Sequence, residues 1–224
     1  MKDKILLLGG TGNLGSTIIK SKLFKKLKFP NKEKLNILNK KKIKNYLIVN
    51  NINLILHCAG LARVKECEKN KAKAFKINVT GTSNIVDAIL EIKKEYNKNI
   101  KLIFISSDGV YASTKGNYSE KDKPSPYNIY GKTKLKAENI VKKLKNFMII
   151  RTRFFNKKKI FFKYSATNIY TSALEVNIFV KYLFKLIKKD FNGIINIGGS
   201  KISDFKKYKK YKKNLLPCDK SKIF

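Results

Sequence analysis

Residues 5–15 read ILLLGGTGNLG. The first four of these residues are apolar and indicate a buried strand, and apolar residues recur at helical spacing after the glycines. Gly9, Gly12 and Gly15 therefore lie in a turn between a strand and a helix. Such a turn lets backbone N–H groups approach a pyrophosphate, which then lies at the positive end of the helix. We expect a dinucleotide-binding turn here.

The alternation of strand and helix continues along the chain. Apolar runs predict further strands at 53–58, 101–105 and 147–150, and helical spacing predicts helices over about 39–50, 72–96 and 127–145, with a polar loop at 115–126. Strands without apolar–polar alternation are typical of a parallel sheet that is covered on both faces. We predict an α/β fold with a doubly wound parallel sheet, a Rossmann fold.

We place the Rossmann domain at residues 1–155 and a small, abbreviated C-terminal substrate lobe at 156–224. In this second segment, 173–188 is predicted to be helical and 193–197 to be a strand. The last twenty or so residues carry many lysines and tyrosines. They are expected to form either a basic amphipathic tail or a poorly ordered end.

The net charge of +36 is the most unusual bulk property of the chain. Such a charge suggests affinity for polyanions. Only three of the 51 basic residues are arginine, however, and the lysines are spread along the whole sequence. Because base and phosphate recognition usually uses the bidentate fork of arginine, we expect nonspecific adhesion to polyanions at low salt but no specific nucleic-acid function.

The apolar runs are far shorter than the roughly 18 residues of a membrane span. The N-terminus also lacks the apolar region and cleavage site of a secretory signal, so we expect a cytoplasmic protein without a membrane partner. Cys58, Cys67 and Cys218 form neither a C-x-x-C pair nor an even disulfide framework, and His57 is the only histidine. We predict no metal site, and we interpret His57 and Cys58 as a packed strand end.

A candidate catalytic set follows a later predicted strand. Ser107 comes just after this strand, at the edge where doubly wound sheets bind ligands. Tyr130 and Lys134 are four residues apart on the next predicted helix, so both side chains lie on one face. An ammonium beside a phenol lowers the pKa of the phenol, and a serine hydroxyl can stabilise a carbonyl oxygen that gains charge. The same spacing recurs at Tyr208 and Lys212, so the order of the motifs carries this prediction.

Six segments occur in an order typical of one family. They are GGTGNLG at 9–15, HCAG at 57–60, NVTGT at 78–82, SSDGVY at 106–111, PYNIYGKTK at 126–134 and IRTR at 150–153. In these segments the chain resembles the extended short-chain dehydrogenases/reductases, the group that contains dTDP-4-dehydrorhamnose reductase and the nucleotide-sugar epimerases. The resemblance covers roughly residues 3–155, with a fainter match in NGIINIGG at 192–199.

This resemblance implies roles for individual residues. Ser107 would polarise the substrate carbonyl, Tyr130 would donate the proton, and Lys134 would hold the nicotinamide ribose and lower the pKa of Tyr130. The residues implied to bind the cofactor are Gly9, Thr11, Gly12, Asn13, Leu14, Gly15, Cys58, Ala59, Gly60, Asn78, Tyr130 and Lys134.

The resemblance also implies an activity. The stretch LNILN at 35–39 is similar to the LDITD of dTDP-4-dehydrorhamnose reductases, which favours an NADPH-dependent reductase of a nucleotide-activated 4-keto-6-deoxy sugar. Gly109 stands where those reductases commonly carry tyrosine, and Val110-Tyr111 is closer to the epimerases. A nucleotide-sugar 4-epimerase or dehydratase with bound NAD is therefore an alternative. Because fewer than 75 residues follow Arg151, a noncatalytic cofactor-holding role, as in the family's regulatory relatives, also stays open.

The choice of cofactor depends on the segment about 20 residues after the glycines. An acidic residue there binds the ribose 2′-OH of NAD, and Glu33 is a candidate for this contact. Lys32 and Lys34 favour a 2′-phosphate instead. We predict NADP as the cofactor with NAD as the alternative, a nucleotide-sugar as the substrate, and a homodimer as a candidate assembly.

Overall fold

The computed structural model describes residues 4–112, 114 and 116–222. Lys115, the first residue of the predicted polar loop, lies outside the described residues, as do the first three residues of the predicted Rossmann domain and Ile223 and Phe224 of the tail. The strands are β1 (Ile5–Leu8), β2 (Leu27–Lys28), β3 (Leu54–His57), β4 (Lys101–Ile105), β5 (Phe147–Thr152), β6 (Phe154–Phe155), β7 (Tyr164–Ala166), β8 (Tyr170–Thr171), β9 (Leu174–Glu175), β10 (Gly193–Ile197), β11 (Ile202–Ser203) and β12 (Leu216–Cys218). The helices are α1 (Asn13–Ser21), α2 (Lys40–Val49), α3 (Val64–Lys69), α4 (Lys71–Phe75), α5 (Gly81–Tyr96), α6 (Ile129–Val141), α7 (Val176–Lys188) and α8 (Asp204–Lys209).

Six strands form the central sheet, in the order β10-β5-β4-β3-β1-β2. Every neighbouring pair in it is parallel. From β1 the strand order extends to β2 on one side of the sheet, and from β3 through β4 and β5 to β10 on the other side. The direction of the strand order therefore reverses between the carboxyl ends of β1 and β3. Ligands bind at this point in doubly wound sheets. The predicted parallel α/β sheet is confirmed.

Successive apolar side chains along each strand point to opposite faces of the sheet and pack into two separate cores. Leu6 and Leu8 of β1 belong to a core that includes buried residues of α2, α5 and α6. Ile5 and Leu7 belong to the opposite core, with residues of α1 and α7. Both faces of the sheet are thus covered by helices, which explains why the strands read as uninterrupted apolar runs.

Three predicted helices differ clearly from the observed ones in their bounds. The helix predicted over 173–188 begins at Val176, after strand β9, and the one predicted over 127–145 ends at Val141. The region predicted as one helix over 72–96 contains a π-helical turn, Lys76–Thr80, between α4 and α5. Asn78 lies in this turn and is buried. The helix predicted over 127–145 begins only at Ile129, because the Asn128 side chain accepts a hydrogen bond from the Gly131 N–H and caps it.

As far as Lys222, the last described residue, the tail is folded against the C-terminal lobe, which contradicts the alternative of a poorly ordered end for these residues. β11 pairs with β8, and β12 pairs with β7. Between them, α8 buries the Lys207 side chain, whose ammonium donates to the Thr171 carbonyl oxygen at 2.7 Å. The ring of Tyr208 packs edge-on against Phe155 with 5.1 Å between centroids. These contacts join residues that lie far apart in the sequence, and local patterning could not predict them.

The C-terminal segment also contributes to the central sheet. β10 pairs with β5 over five residues, and α7 packs in the core beside α1. The other strands of this segment form three two-stranded sheets, β6-β9, β7-β12 and β8-β11, the first of which includes Phe154–Phe155 from before residue 156. The division at residue 155 stays a prediction. Within the described part of the chain, no helix combines the length and apolar character of a membrane span.

Candidate functional site

The glycine turn joins β1 to α1 and packs against the carboxyl end of β3. Gly9 has a φ of +89°, and a Cβ there would lie 2.6 Å from the Ala59 backbone nitrogen. A Cβ at Gly15 would lie 2.2 Å from the Gly9 carbonyl oxygen. Both positions therefore require glycine. Gly12 precedes α1, and no side chain among the described residues caps the helix at that position.

The open helix end suits a phosphate. The first turn of α1 contains no acidic residue, and free backbone N–H groups at a helix N-terminus attract anions. Thr11 and Gly12 are exposed there, and Asn13 is partly buried. Leu14 is buried in the core, so only its backbone could contact a ligand. The turn fits the pyrophosphate of a dinucleotide.

The other predicted cofactor residues lie beside this turn or behind it. Cys58, Ala59 and Gly60 directly follow β3. The Asn78 side chain accepts from the Leu61 N–H at 2.7 Å and donates to the Leu61 carbonyl oxygen at 3.0 Å. Asn78 also donates to the Thr133 hydroxyl on α6 at 2.9 Å. It therefore ties the loop after β3 to α6, and its amide is occupied by protein groups.

The structure brings Ser107 and Tyr130 together at the carboxyl edge of the sheet. The Ser107 hydroxyl accepts from the Gly109 N–H at 3.0 Å, and a Cβ at Gly109 would lie 3.3 Å from this hydroxyl oxygen and 3.9 Å from the Tyr130 Cδ1, so the two side chains are neighbours. Burial raises the pKa of Tyr130 to about 12, although the nearby Ser107 hydroxyl acts in the opposite direction. The phenol thus keeps its proton at neutral pH, which suits a proton donor. The predicted lowering of this pKa by Lys134 is wrong for the protein without ligands, because burial dominates and raises it.

Lys134 lies on the same helix, one turn after Tyr130. Its side chain is 7% exposed, and its ammonium donates to the Ile105 carbonyl oxygen at 2.6 Å. It also lies 3.9 Å from the centre of the Phe104 ring. Burial lowers the pKa of Lys134 to about 8, and the Glu138 carboxylate opposes this effect. The ammonium is therefore largely charged at neutral pH.

His57 and Cys58, close to Lys134, are not reactive groups. The Nε2 atom of His57 lies 3.0 Å from the Thr82 hydroxyl, which donates to the Asn78 carbonyl oxygen at 2.7 Å. Burial, with a contribution from the Lys134 charge, lowers the pKa of His57 to about 3. Burial raises the pKa of the Cys58 thiol to about 12. Both groups are neutral at physiological pH, and the expected packed strand end is confirmed for His57, which is 1% exposed.

A buried ionic network behind the site was not predicted from the sequence. Glu138 is fully buried on α6. Arg151 at the end of β5 donates to both of its oxygens, with Nη2 at 2.7 Å and Nε at 3.1 Å, and the Ser106 hydroxyl donates at 2.5 Å. Arg151 also donates to the Tyr111 hydroxyl at 2.8 Å. The repeat of four residues from Tyr130 through Lys134 to Glu138 is the signal that could have revealed it.

A cleft of about 720 Å³ lies between this edge of the sheet and the C-terminal lobe. Cationic side chains in its lining are Arg151, Arg153, Lys201 and Lys220, and aromatic ones are Tyr111, Tyr118, Tyr127 and Tyr170. The Arg153 guanidinium forms an ion pair of 2.8 Å with Asp108, and both charges influence the pKa of Tyr130. Tyr130 is not in the lining of the cleft, but Asp108, next to Ser107 in the chain, is, so the cleft lies beside the candidate catalytic residues.

Another cavity, of about 510 Å³, is lined by residues that were predicted to contact the ribose 2′-OH or 2′-phosphate of the cofactor. It is lined by Lys32, Glu33, Asn36, Leu38, Asn39 and Lys42. Glu33 accepts a hydrogen bond of 3.0 Å from the Asn31 amide. Two ammonium groups and one carboxylate share this cavity, whereas Lys34 is exposed outside the lining set. Among the described residues, no cluster of three or more His, Cys, Asp or Glu residues could hold a metal ion.

Comparison with known proteins agrees with this arrangement. The RmlD substrate binding domain family matches residues 2–173. The chain is 30% identical over 148 residues to "Methionine adenosyltransferase 2 subunit beta" of Bos taurus, a match that covers 62% of this chain. The match covers 42% of that relative, so the chain corresponds to less than half of its length.

Solved structures share the fold. The dTDP-4-dehydrorhamnose reductase of Bacillus anthracis, in complex with NADP, is similar with a TM-score of 0.86 and 24% identity, covering 99% of this chain and 86% of that one. The UDP-glucose 4-epimerase of Thermus thermophilus, in complex with NAD, has a TM-score of 0.76 and 16% identity, with coverages of 93% and 82%. Because the family match extends over most of the sequence, the chain belongs to the RmlD substrate binding domain family.

Proposed function

We propose that this protein is an NADPH-dependent reductase of a nucleotide-activated 4-keto-6-deoxy sugar, with Tyr130 as the proton donor. The observation that carries the proposal is the placement of Ser107 and Tyr130 as neighbours at the carboxyl edge of the sheet, where a Cβ at Gly109 would lie 3.3 Å from the Ser107 hydroxyl oxygen and 3.9 Å from the Tyr130 Cδ1. The reductase of Bacillus anthracis, which shares the fold, was solved with NADP, and this supports the choice of cofactor.

The chain offers a matching set of groups for NADPH. The N–H groups after Gly12 would hold the pyrophosphate, and Lys32 and Lys42 would attract the 2′-phosphate. Lys134 would hold the nicotinamide ribose. NADPH, when bound, supplies the hydride. NAD is the alternative cofactor, and we would expect it if the protein is a nucleotide-sugar 4-epimerase or dehydratase.

Ser107 and Tyr130 have different roles at the substrate carbonyl. The Ser107 hydroxyl stabilises the oxygen as negative charge develops on it. Tyr130 holds its proton at neutral pH and transfers it to this oxygen. The Lys134 ammonium stabilises the phenolate that remains, because an opposite charge nearby favours the charged form of a group.

The cleft of about 720 Å³ provides a place for a nucleotide-sugar. Its exposed Lys201 and Lys220 side chains suit a diphosphate, and its tyrosines suit the stacking of a base or a sugar ring. We further propose a cytoplasmic location and a homodimer as the candidate assembly, and we expect no specific nucleic-acid function despite the net charge of +36.

NADPH oxidation with a panel of keto-sugar nucleotides tests the proposal. We expect turnover with a 4-keto-6-deoxy substrate and a loss of about 100-fold to 10,000-fold in kcat for Tyr130→Phe, because a general acid contributes on this order. Tyr96→Phe, at the exposed end of α5, is the matched control and should keep wild-type activity. Wild-type protein that binds NADPH but turns over no member of the panel would contradict the proposal.

A noncatalytic subunit is the second candidate, and a specific observation favours it. The curated relative from Bos taurus is named as a subunit of methionine adenosyltransferase. Such a role predicts NADPH binding without oxidation and no effect of Tyr130→Phe on cofactor affinity. A nucleotide-sugar 4-epimerase or dehydratase predicts instead that NAD copurifies with the protein, which identification of the bound dinucleotide decides.

A further inference from the structure

The hydrogen bonds of Ser107 direct its hydroxyl proton to Asp108. The hydroxyl oxygen accepts from the Gly109 N–H at 3.0 Å and donates to Asp108 Oδ1 at 3.3 Å. A serine hydroxyl has a single proton to donate, so Ser107 cannot give it to a substrate oxygen while the carboxylate accepts it. Asp108 therefore competes with the substrate for the proton that the proposed reaction needs.

The negative charge of Asp108 also opposes the proposed reaction. Negative charge develops on the substrate oxygen that Ser107 contacts, and a carboxylate nearby disfavours it. The same carboxylate raises the pKa of Tyr130, whereas the charge of Arg153 lowers it. An unpaired Asp108 would thus hinder both the stabilisation of the substrate oxygen and the release of the phenol proton.

Arg153 compensates the Asp108 carboxylate. Asp108 opens a short 3-10 turn after β4, and Arg153 directly follows β5, the parallel neighbour of β4. The two residues meet because neighbouring parallel strands end at the same edge of the sheet. Arg153 Nε lies 2.8 Å from Asp108 Oδ2, so one carboxylate oxygen faces Arg153 and the other faces Ser107. Both charged residues line the cleft of about 720 Å³.

We propose that Arg153 is a positioning residue for the reduction: its guanidinium pairs with Asp108, neutralises that carboxylate and so leaves the Ser107 proton available to the substrate oxygen. This inference rests on the proposed function, because Ser107 acts there on the substrate carbonyl. Arg153 acts through Asp108 and is not itself a catalytic residue.

Variants of the pair separate this role from direct binding of the substrate. The assay measures kcat and KM for the 4-keto-6-deoxy substrate at saturating NADPH. Arg153→Met leaves Asp108 unpaired, so kcat should fall about 10-fold to 100-fold, somewhat less than the effect of losing an oxyanion donor outright. KM should change by less than about threefold, because the loss concerns an interaction that matters in the transition state.

Two rescue variants test whether the charge of Asp108 causes this loss. Asp108→Asn combined with Arg153→Met removes the uncompensated carboxylate, and kcat should return to within about threefold of wild type, because the two effects are coupled. Arg153→Lys retains the positive charge and should keep most of the wild-type kcat. A group that binds the substrate directly would not be rescued by Asp108→Asn.

The pair is partly exposed, so its loss should have little effect on folding. The side chains of Arg153 and Asp108 are 45% and 35% exposed, and Arg153→Met should lower Tm by less than about 4 °C, because exposed ion pairs contribute little to stability. Lys73→Met is the matched control. It breaks an ion pair of 3.1 Å with Glu66, whose side chains are 51% and 38% exposed, and it should leave kcat and KM unchanged.

Two results with an active wild type would overturn this inference alone. One is a double variant that stays as impaired as Arg153→Met, and the other is an effect of Arg153→Met confined to KM. Wild-type protein that binds NADPH but oxidises none with the substrate panel would overturn the proposed function, and this inference with it. The two failures are therefore distinguishable.

Discussion

Replacement of Gly15 by alanine tests how the glycine turn is built. The added Cβ would lie 2.2 Å from the Gly9 carbonyl oxygen and 2.8 Å from the Gly10 Cα. Both neighbours are backbone atoms, so no side-chain rotation relieves the overlap. We expect a cost of about 3 kcal/mol, at the upper end for an overpacked site. For a chain of this size, that cost lowers Tm by about 6 to 12 °C.

Gly12→Ala is the matched control in the same turn. Its Cβ would meet only the Gly9 carbonyl oxygen, at 3.3 Å, and its φ of −69° is available to alanine. We expect a cost of about 1 kcal/mol for this N-cap position. Thermal unfolding followed by circular dichroism gives both Tm values, and NADPH titration below Tm should show at least tenfold weaker binding for Gly15→Ala. Equal Tm values for the two variants would refute the packing argument.

Three further predictions concern charge. Lys134 has a pKa of about 8 in the folded protein and an ordinary pKa of 10.5 in the unfolded chain, so the unfolded chain binds more protons between these two pH values. As the pH rises from about 8 to 10.5, the free energy of unfolding should therefore increase by up to ~3 kcal/mol relative to that of Lys134→Met. Urea unfolding at several pH values measures this increase. His57 is the only histidine, so a single imidazole signal in NMR should stay unchanged from pH 8 to about 5, and a midpoint near the ordinary 6.5 would contradict its burial. Because the net charge is +36, kcat/KM for an anionic nucleotide-sugar should fall several-fold between about 0.05 and 0.5 M salt, whereas kcat should change little.

The local motifs of the candidate site were visible in the sequence. The strand, the spaced glycines and the helix that follows them are neighbours in the chain, so their periodicity predicts their structure. Tyr130 and Lys134 share a face because four residues make about one helical turn. These predictions depend on contacts within a few residues, which sequence patterns record directly.

Contacts between distant segments were not predicted. Arg151 reaches Glu138 across 13 residues, and Tyr111 joins the same network from 40 residues away. The folding of the tail likewise depends on Phe155, about 50 residues before Tyr208. A lysine-rich segment has no apolar periodicity strong enough to reveal such partners, so composition favoured an exposed tail.

The sequence alone therefore determined the parallel α/β class, the glycine turn and the pairing of a tyrosine with a lysine on one helix face, because each depends on local backbone preference and side-chain period. Tertiary structure decided which polar groups became buried and what they met. Burial turned Glu138 into a compensated internal anion and raised the pKa of Tyr130. Desolvation and charge pairing depend on distances in space, and the chain acquires those distances only when it folds.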